Sequence, residues 1–127
     1  MSTIFTAIIK NEISSFKIYE DELCVAILDI NPISDGHSLI IPKVEVDEIY
    51  ELDSQTYSHI FEVAKNLSLK LKKTFNSKRV CYLVEGFEIA HAHIHLIPCN
   101  HPSELSNPRV KRDEYFLENI KSLIENS

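Results

Sequence analysis

The spacing of apolar residues changes period several times along the chain, and each change marks an element. "FKIYEDELCVAILDI", residues 16–30, predicts two short strands joined by an acidic turn around Glu20 to Glu22. "NPISDG" follows as a loop punctuated by Pro32 and Gly36. "HSLIIP" then predicts a buried strand that ends at Pro42. From Asp53 or Ser54 to about Phe75 the period becomes helical. Ile60, Ala64, Leu67, Leu71 and Phe75 fall on one face, with Glu62, Lys65, Lys70 and Lys72 elsewhere. The Asp-Ser pair suits an N-cap, and lysines near the far end suit the helix dipole. "RVCYLVEG", residues 79–86, and "HAHIHLIP", residues 91–98, predict two more strands, the second by strict alternation. Residues 99–110 carry two prolines and predict a loop. Phe116, Leu117, Ile120 and Ile124 predict a final amphipathic helix. Short connections favour antiparallel pairing, so the expectation is an α+β fold with a meander-type sheet of about five strands.

Composition adds boundaries rather than detail. The 127 residues suit one domain, with 44% hydrophobic and 25% charged residues, as in an ordinary globular protein. A formal net charge of −6 argues against broad binding to nucleic acid or anionic lipid. No apolar run approaches membrane-spanning length. "MSTIFTAIIK" has no basic n-region and no small-residue cleavage site, so no secretory leader is expected. Cys24, Cys81 and Cys99 are odd in number and lack CxxC spacing. Reduced thiols and a cytoplasmic location are the expectation.

The chemistry concentrates in "HAHIHLIP". Three of the six histidines, His91, His93 and His95, alternate with Ala92 and Ile94. On a strand they share one face, neighbours roughly 6.5–7 Å apart, while Ala92, Ile94 and Leu96 face the core. Four readings compete. A surface row without a role is disfavoured, because lysine or threonine solvates a strand better. A metal site has two imidazoles at i, i+2, with His37, Glu85 and Glu88 as further ligand candidates. No glycine-rich pattern follows Gly86, which counts against a cupin. Acid–base catalysis of hydrolysis without a covalent step uses imidazoles that titrate near neutrality. Nucleophilic catalysis needs one attacking imidazole, one group to orient it and one donor to the phosphate or leaving group. Spacing does not separate the last two.

"HAHIHLI" has the form His-φ-His-φ-His-φ-φ, where φ is apolar, and resembles the motif of the histidine triad (HIT) family of nucleotide hydrolases and transferases. "IYEDELCVAILDINPISDGHSLIIPK", residues 18–43, is similar to the family's N-terminal half. The resemblance covers about residues 3–98, with the loop and helix of 99–127 beyond it. It implies a single HIT domain over 1–127, a homodimer that extends the sheet, and a small nucleotide as substrate. It implies hydrolysis of purine nucleoside phosphoramidates or related nucleotidyl esters through a nucleotidyl-histidine intermediate. His93 would be the nucleophile and His95 would hydrogen-bond the phosphate or leaving group. His91 and His37 would complete the imidazole network, Asp29 would hold the ribose hydroxyls, and Ile4, Phe5, Ile8, Ile27 and Ile30 would form the slot for the base. Read from residues alone, the apolar five also fit core packing, His37 a satisfied buried histidine, and Asp29 a strand-ending turn carboxylate.

Two departures from the family pattern matter. Members that bind a structural zinc begin C-x-x-C and carry a histidine after "IPK". Those positions are Thr3, Thr6 and Glu45 here, so neither zinc nor any other cofactor is expected. Many members also have a longer N-x-G-x-x-A-G-Q segment before the triad. "VEGFEIAHAH" is shorter and carries Glu85 and Glu88, unfavourable beside a phosphate unless they point away. It resembles a short G-x-E-φ-P-H version found in some branches. Two alternatives therefore stay open: a nucleotide-binding protein with little turnover, and a metal-dependent hydrolase using the same histidines.

Overall fold

The computed structural model describes residues 3–127. In chain order the elements are α1 (Ile4–Ile9), β1 (Lys17–Glu20), β2 (Cys24–Leu28), β3 (Ser38–Pro42), α2 (Ser54–Phe75), β4 (Arg79–Leu83), β5 (Ile94–Cys99) and α3 (Glu114–Glu125). Single 3-10 turns lie at Ile49–Glu51 and Pro102–Ser106. The strands form one antiparallel sheet in the order β1-β2-β3-β5-β4. Only the β3–β5 neighbours are separated by a long connection, the one that contains α2.

The middle strands are buried on both faces, and alternation sorts their side chains into two layers. Ala26, Leu28, Ile40, Ile94 and Leu96 face the two long helices. They pack with Ile60, Ala64, Leu67 and Leu71 of α2 and Leu117, Ile120 and Ile124 of α3. Val25, Ile27, Leu39 and Ile41 face the other way, against Phe5 and Ile8 of α1. Six residues of α1 cannot cover that face. The part of the sheet they leave open becomes the floor of a cavity.

α2 begins where the sequence places its cap, and α3 begins at a cap of the same kind. Asp53 accepts from Thr56 N–H at 2.7 Å and starts α2, and Asp113 accepts from Phe116 N–H at 2.8 Å and starts α3. Such caps contribute about 0.5–2 kcal/mol each. Gly36 leads into β3 with φ +88, and a Cβ there would lie 2.3 Å from the Phe75 ring. The turn that delivers His37 thus needs glycine for both conformation and space.

Three elements differ from the sequence expectation. Residues 4–9 form α1, which no periodicity announced. It is one and a half turns long and held by a Thr3–Thr6 capping box. β4 stops at Leu83 rather than running to Gly86. β5 begins at Ile94, so His91 and His93 lie in an extended lead-in, not on the strand. The cause is Pro42. It has no N–H to continue the β3–β5 ladder, and its carbonyl accepts from His91 Nε2 at 2.8 Å. His91 N–H and Ala92 N–H are satisfied by the carbonyls of Ile89 and Val46.

Candidate active site

His95 sits opposite Leu39 in the β3–β5 register, on the face away from the long helices. His93 continues along that face. Their ring centroids are 4.9 Å apart, and Phe5 of α1 packs edge-on against His93 at 5.0 Å. Both imidazoles line a cavity of about 560 Å³. Its other walls come from α1, the end of β2, the Leu83–Ile89 segment and the loop after β5.

The partners of the four imidazoles fix which nitrogen carries each proton. A carbonyl only accepts and a backbone N–H only donates. His93 Nδ1 lies 2.7 Å from the His91 carbonyl, so Nδ1 holds the proton and Nε2 keeps its lone pair. Ile33 N–H donates to His37 Nδ1 at 2.9 Å, so His37 is protonated at Nε2. That Nε2–H donates to His95 Nδ1 at 2.9 Å, which leaves His95 with its proton on Nε2. The cavity is thus lined by two imidazoles of opposite character. His93 has a free lone pair and His95 has an N–H to donate.

Burial keeps His37, His93 and His95 neutral. It pushes His37 down to about 3 and His95 down to about 4, assisted by neighbouring imidazoles and by Arg109. Burial also lowers His93, against the opposing pull of the His91 carbonyl. An uncharged His93 is a nucleophile at neutral pH without first losing a proton.

His91 and His37 do not line the cavity. His37 is 1% exposed and stands behind His95. His91 is fully buried, with Nε2 donating to Pro42 O and Nδ1 bonded to the Thr3 hydroxyl at 3.1 Å. Thr3 in turn accepts from Thr6 N–H, and the Thr6 hydroxyl donates to Glu45. Thr3, Thr6, Glu45 and His91 therefore meet in space. Threonine hydroxyls are not the thiolate, imidazole or carboxylate ligands zinc takes. Hydrogen bonds join these positions instead, so the residues do not fit a structural zinc.

Asp29 closes one end of the cavity at the end of β2. Its Oδ1 accepts from Asn31 N–H at 2.8 Å, and its Oδ2 lies 3.6 Å from His37 Nε2. Burial raises its carboxyl above the usual carboxylate range, opposed by the Asn31 N–H and Arg109. Ile4, Phe5, Ile8, Ile27 and Ile30 all line the cavity, which places the sequence-predicted apolar set in one slot. Phe5, Ile8 and Ile27 are buried, whereas Ile4 and Ile30 stand exposed at the mouth. Glu85 and Glu88 also line the cavity, and a Glu85 carboxylate oxygen lies within 4.8 Å of ring nitrogens of His93 and His95.

The sequence reading missed Arg109. Its Nη2 bonds Asp29 Oδ2 and its Nε bonds the Asn31 carbonyl, across about eighty residues of chain. It sits in an irregular stretch after a proline, where no periodicity points inward. The backbone groups of Ile33, Pro42 and His91 that set the tautomers were equally invisible, because they depend on position and not on side-chain type.

Among the described residues, three sets bring potential metal ligands together: Asp29, His37 and His95; Glu85, His93 and His95; and, on the α2 side, Asp21, Cys24 and His59. At either of the first two, a cation would have to take the Nε2 proton of His95 or break the His37–His95 bond. At the third, Asp21 already accepts from His59, Tyr19 and two backbone N–H groups. No helix is long and apolar enough to cross a membrane among the described residues.

Comparison with known proteins converges on one family. An uncharacterized HIT-like protein of Borreliella burgdorferi is 36% identical over 102 residues, covering 75% of this chain and 73% of that protein. An adenosine 5'-monophosphoramidase of Saccharomyces cerevisiae is 38% identical over 96 residues. That match covers 75% of this chain and 61% of the yeast protein, so the chain spans about three fifths of it. The crystal structure of a hypothetical histidine triad nucleotide-binding protein from Sulfolobus tokodaii superposes with a TM-score of 0.87 at 31% identity, over 97% of this chain and 89% of that one. The HIT domain model matches residues 10–101, and with the imidazole cluster at the sheet face the chain belongs to the histidine triad (HIT) family.

Proposed function

We propose that the protein hydrolyses nucleoside phosphoramidates or related nucleotidyl esters through a covalent histidine intermediate. The observation that carries this reading is the pairing of opposite tautomers on one cavity, a lone pair at His93 Nε2 beside a donor at His95 Nε2–H. The base lies in the slot of Phe5, Ile8 and Ile27, and the ribose hydroxyls reach Asp29, whose oxygens accept from a cis-diol. His93 Nε2 attacks the α-phosphorus, the Nε2–P bond forms, and the bond to the leaving group breaks. His95 Nε2–H donates to the phosphate or leaving group, and the His91 carbonyl steadies the charge on the modified ring through Nδ1–H. Water then opens the Nε2–P bond and releases the nucleoside monophosphate. Over the cycle one water supplies hydroxyl to phosphorus and a proton to the leaving amine. The phosphoramidase activity named for the yeast relative supports this substrate class.

A homodimer belongs to the same reading. Its support is the sheet edge at β4, where Tyr82 and Leu83, with Val84 and Phe87 just beyond, are exposed.

The test is intact-protein mass spectrometry after a brief acid quench with an adenosine phosphoramidate. The native chain should carry one nucleoside monophosphate and the His93→Ala variant none. Turnover by His93→Ala at the native rate would sink the assignment, and turnover lost to a chelator would favour metal-dependent hydrolysis. One observation favours a second reading, a nucleotide-binding protein with little turnover: Glu85 and Glu88 line the cavity where a phosphate would sit. Tight monophosphate binding with neither adduct nor product would establish it.

A further inference from the structure

Arg109 is the only lysine or arginine among the described residues that line the cavity, where Asp29, Glu85 and Glu88 supply three carboxylates. Its guanidinium is bonded to Asp29 Oδ2 and to the Asn31 carbonyl. The same stretch of chain is fastened to the same loop by Arg112 N–H, which donates to the Ile30 carbonyl at 2.9 Å. The tail therefore places its cation on the carboxylate that the proposed function assigns to the ribose.

Two demands meet at this pair. Asp29 has both oxygens engaged, Oδ1 by Asn31 N–H and Oδ2 by Arg109, so a diol must displace something. A phosphate beside His93 must in turn sit near Glu85 and Glu88, and the imidazoles are held neutral. One exchange answers both. Asp29 Oδ2, which holds the guanidinium, lies 3.6 Å from His37 Nε2, itself bonded to His95 at 2.9 Å, and the Arg109 charge acts on His95, so the guanidinium stands near the imidazole end of the cavity. The Arg109 side chain is 44% exposed and carries the guanidinium on a long stem, so a change of partner meets solvent rather than packed core.

We propose that Arg109 reads the phosphate of the ligand by changing partners. The ribose hydroxyls take Asp29 Oδ2, the guanidinium moves onto the phosphate, and the Asp29–Arg109 pair opens at low cost only for a ligand that carries both groups. This rests on the nucleotide reading above. A nucleoside without phosphate breaks the pair and returns only water to the 44%-exposed guanidinium, so it forfeits a charge-assisted bond that a nucleotide keeps. A nucleotide replaces one anion by another, and the planar fork of arginine matches phosphate oxygens. Arg109 is thereby a specificity residue for nucleotide over nucleoside, supplied by the part of the chain in which the sequence showed nothing diagnostic.

The test is calorimetric titration of the full chain and of Arg109→Met with adenosine monophosphate and with adenosine. The native chain should prefer the monophosphate. In Arg109→Met the monophosphate should weaken, adenosine should tighten, and the ratio of the two affinities should fall by about tenfold or more. A ratio unchanged within about twofold would make Arg109 a wall staple and overturn the inference, whatever happens to each affinity alone. Arg109→Lys keeps the charge and loses the fork. It should lower the ratio less than methionine does, and it decides the matter by the same criterion if the methionine variant misfolds. A native chain that binds neither probe would overturn the nucleotide reading and this inference together. A native preference for the monophosphate that survives both substitutions overturns this inference alone.

Discussion

The His37→Phe substitution tests the proton chain from Ile33 through His37 to His95. Phenylalanine keeps the ring shape and removes both nitrogens. It leaves Ile33 N–H and His95 Nδ1 without partners in a region where His37 and His95 are 1% and 5% exposed. Each orphaned buried group costs about 1–3 kcal/mol, so the expected loss of stability is about 2–6 kcal/mol. A domain with ~5–15 kcal/mol of stability survives most of that range at low temperature. The thermal midpoint should fall by roughly 4 °C for each kcal/mol lost. The second effect is chemical. With no donor at its Nδ1, His95 is free to place its proton there and present a lone pair to the cavity. The site then has two acceptors and no donor, and by analogy with loss of one oxyanion-hole donor kcat should fall about 10²–10³-fold. Urea titration and turnover of an adenosine phosphoramidate measure the two losses. Ring-nitrogen NMR separates them, because it reports the tautomer directly. The native protein should show His95 protonated at Nε2. A native Nδ1–H tautomer at His95, or an unchanged kcat in the variant, would refute the reasoning.

The remaining predictions concern pH and assembly. His37 and His95 are held at about 3 and about 4 when folded, below the ordinary imidazole value of 6.5. The unfolded chain therefore binds more protons as pH falls below 6.5, so the stability these rings contribute is complete above 6.5 and is lost as pH falls toward about 4 for His95 and about 3 for His37. A urea midpoint that stays constant through that window would contradict it. His93 is lowered from 6.5 as well, so kcat/KM should be level above 6.5 and decline only below it; a catalytic limb titrating above 6.5 would show that the attacking group is not this buried ring. Sedimentation equilibrium at micromolar concentration should give twice the 14.6 kDa chain mass, and a monomer there would remove the dimer from the reading.

The sequence by itself determined the elements that rest on periodicity. The core faces of α2 and α3, the paired strands at 17–28 and the buried strand at 38–42 follow from apolar spacing, because burial of one face is what stabilises each of them. The cap at Asp53 was legible as local chemistry, in which one side chain satisfies an N–H three residues ahead. The candidate site was legible as a set of side chains. His93, His95, Asp29 and the apolar five do line one cavity, and the histidine motif with its similarity to a family pointed to them.

The tertiary structure alone decided how those side chains are prepared. Alternation along "HAHIHLIP" suggests three equal imidazoles in a row, yet the structure gives them unequal tasks. His91 is turned inward onto Pro42 and Thr3, His93 is left with a lone pair, and His95 accepts a hydrogen bond from His37 at Nδ1, which keeps its own proton on Nε2. The tautomers are set at bottom by the carbonyls of Pro42 and His91 and the N–H of Ile33, backbone groups that no side-chain pattern can distinguish. Arg109 escaped for a related reason. It acts on Asp29 from eighty positions away, in a stretch with no repeating period, and an ion pair of that kind exists only once the chain has closed on itself.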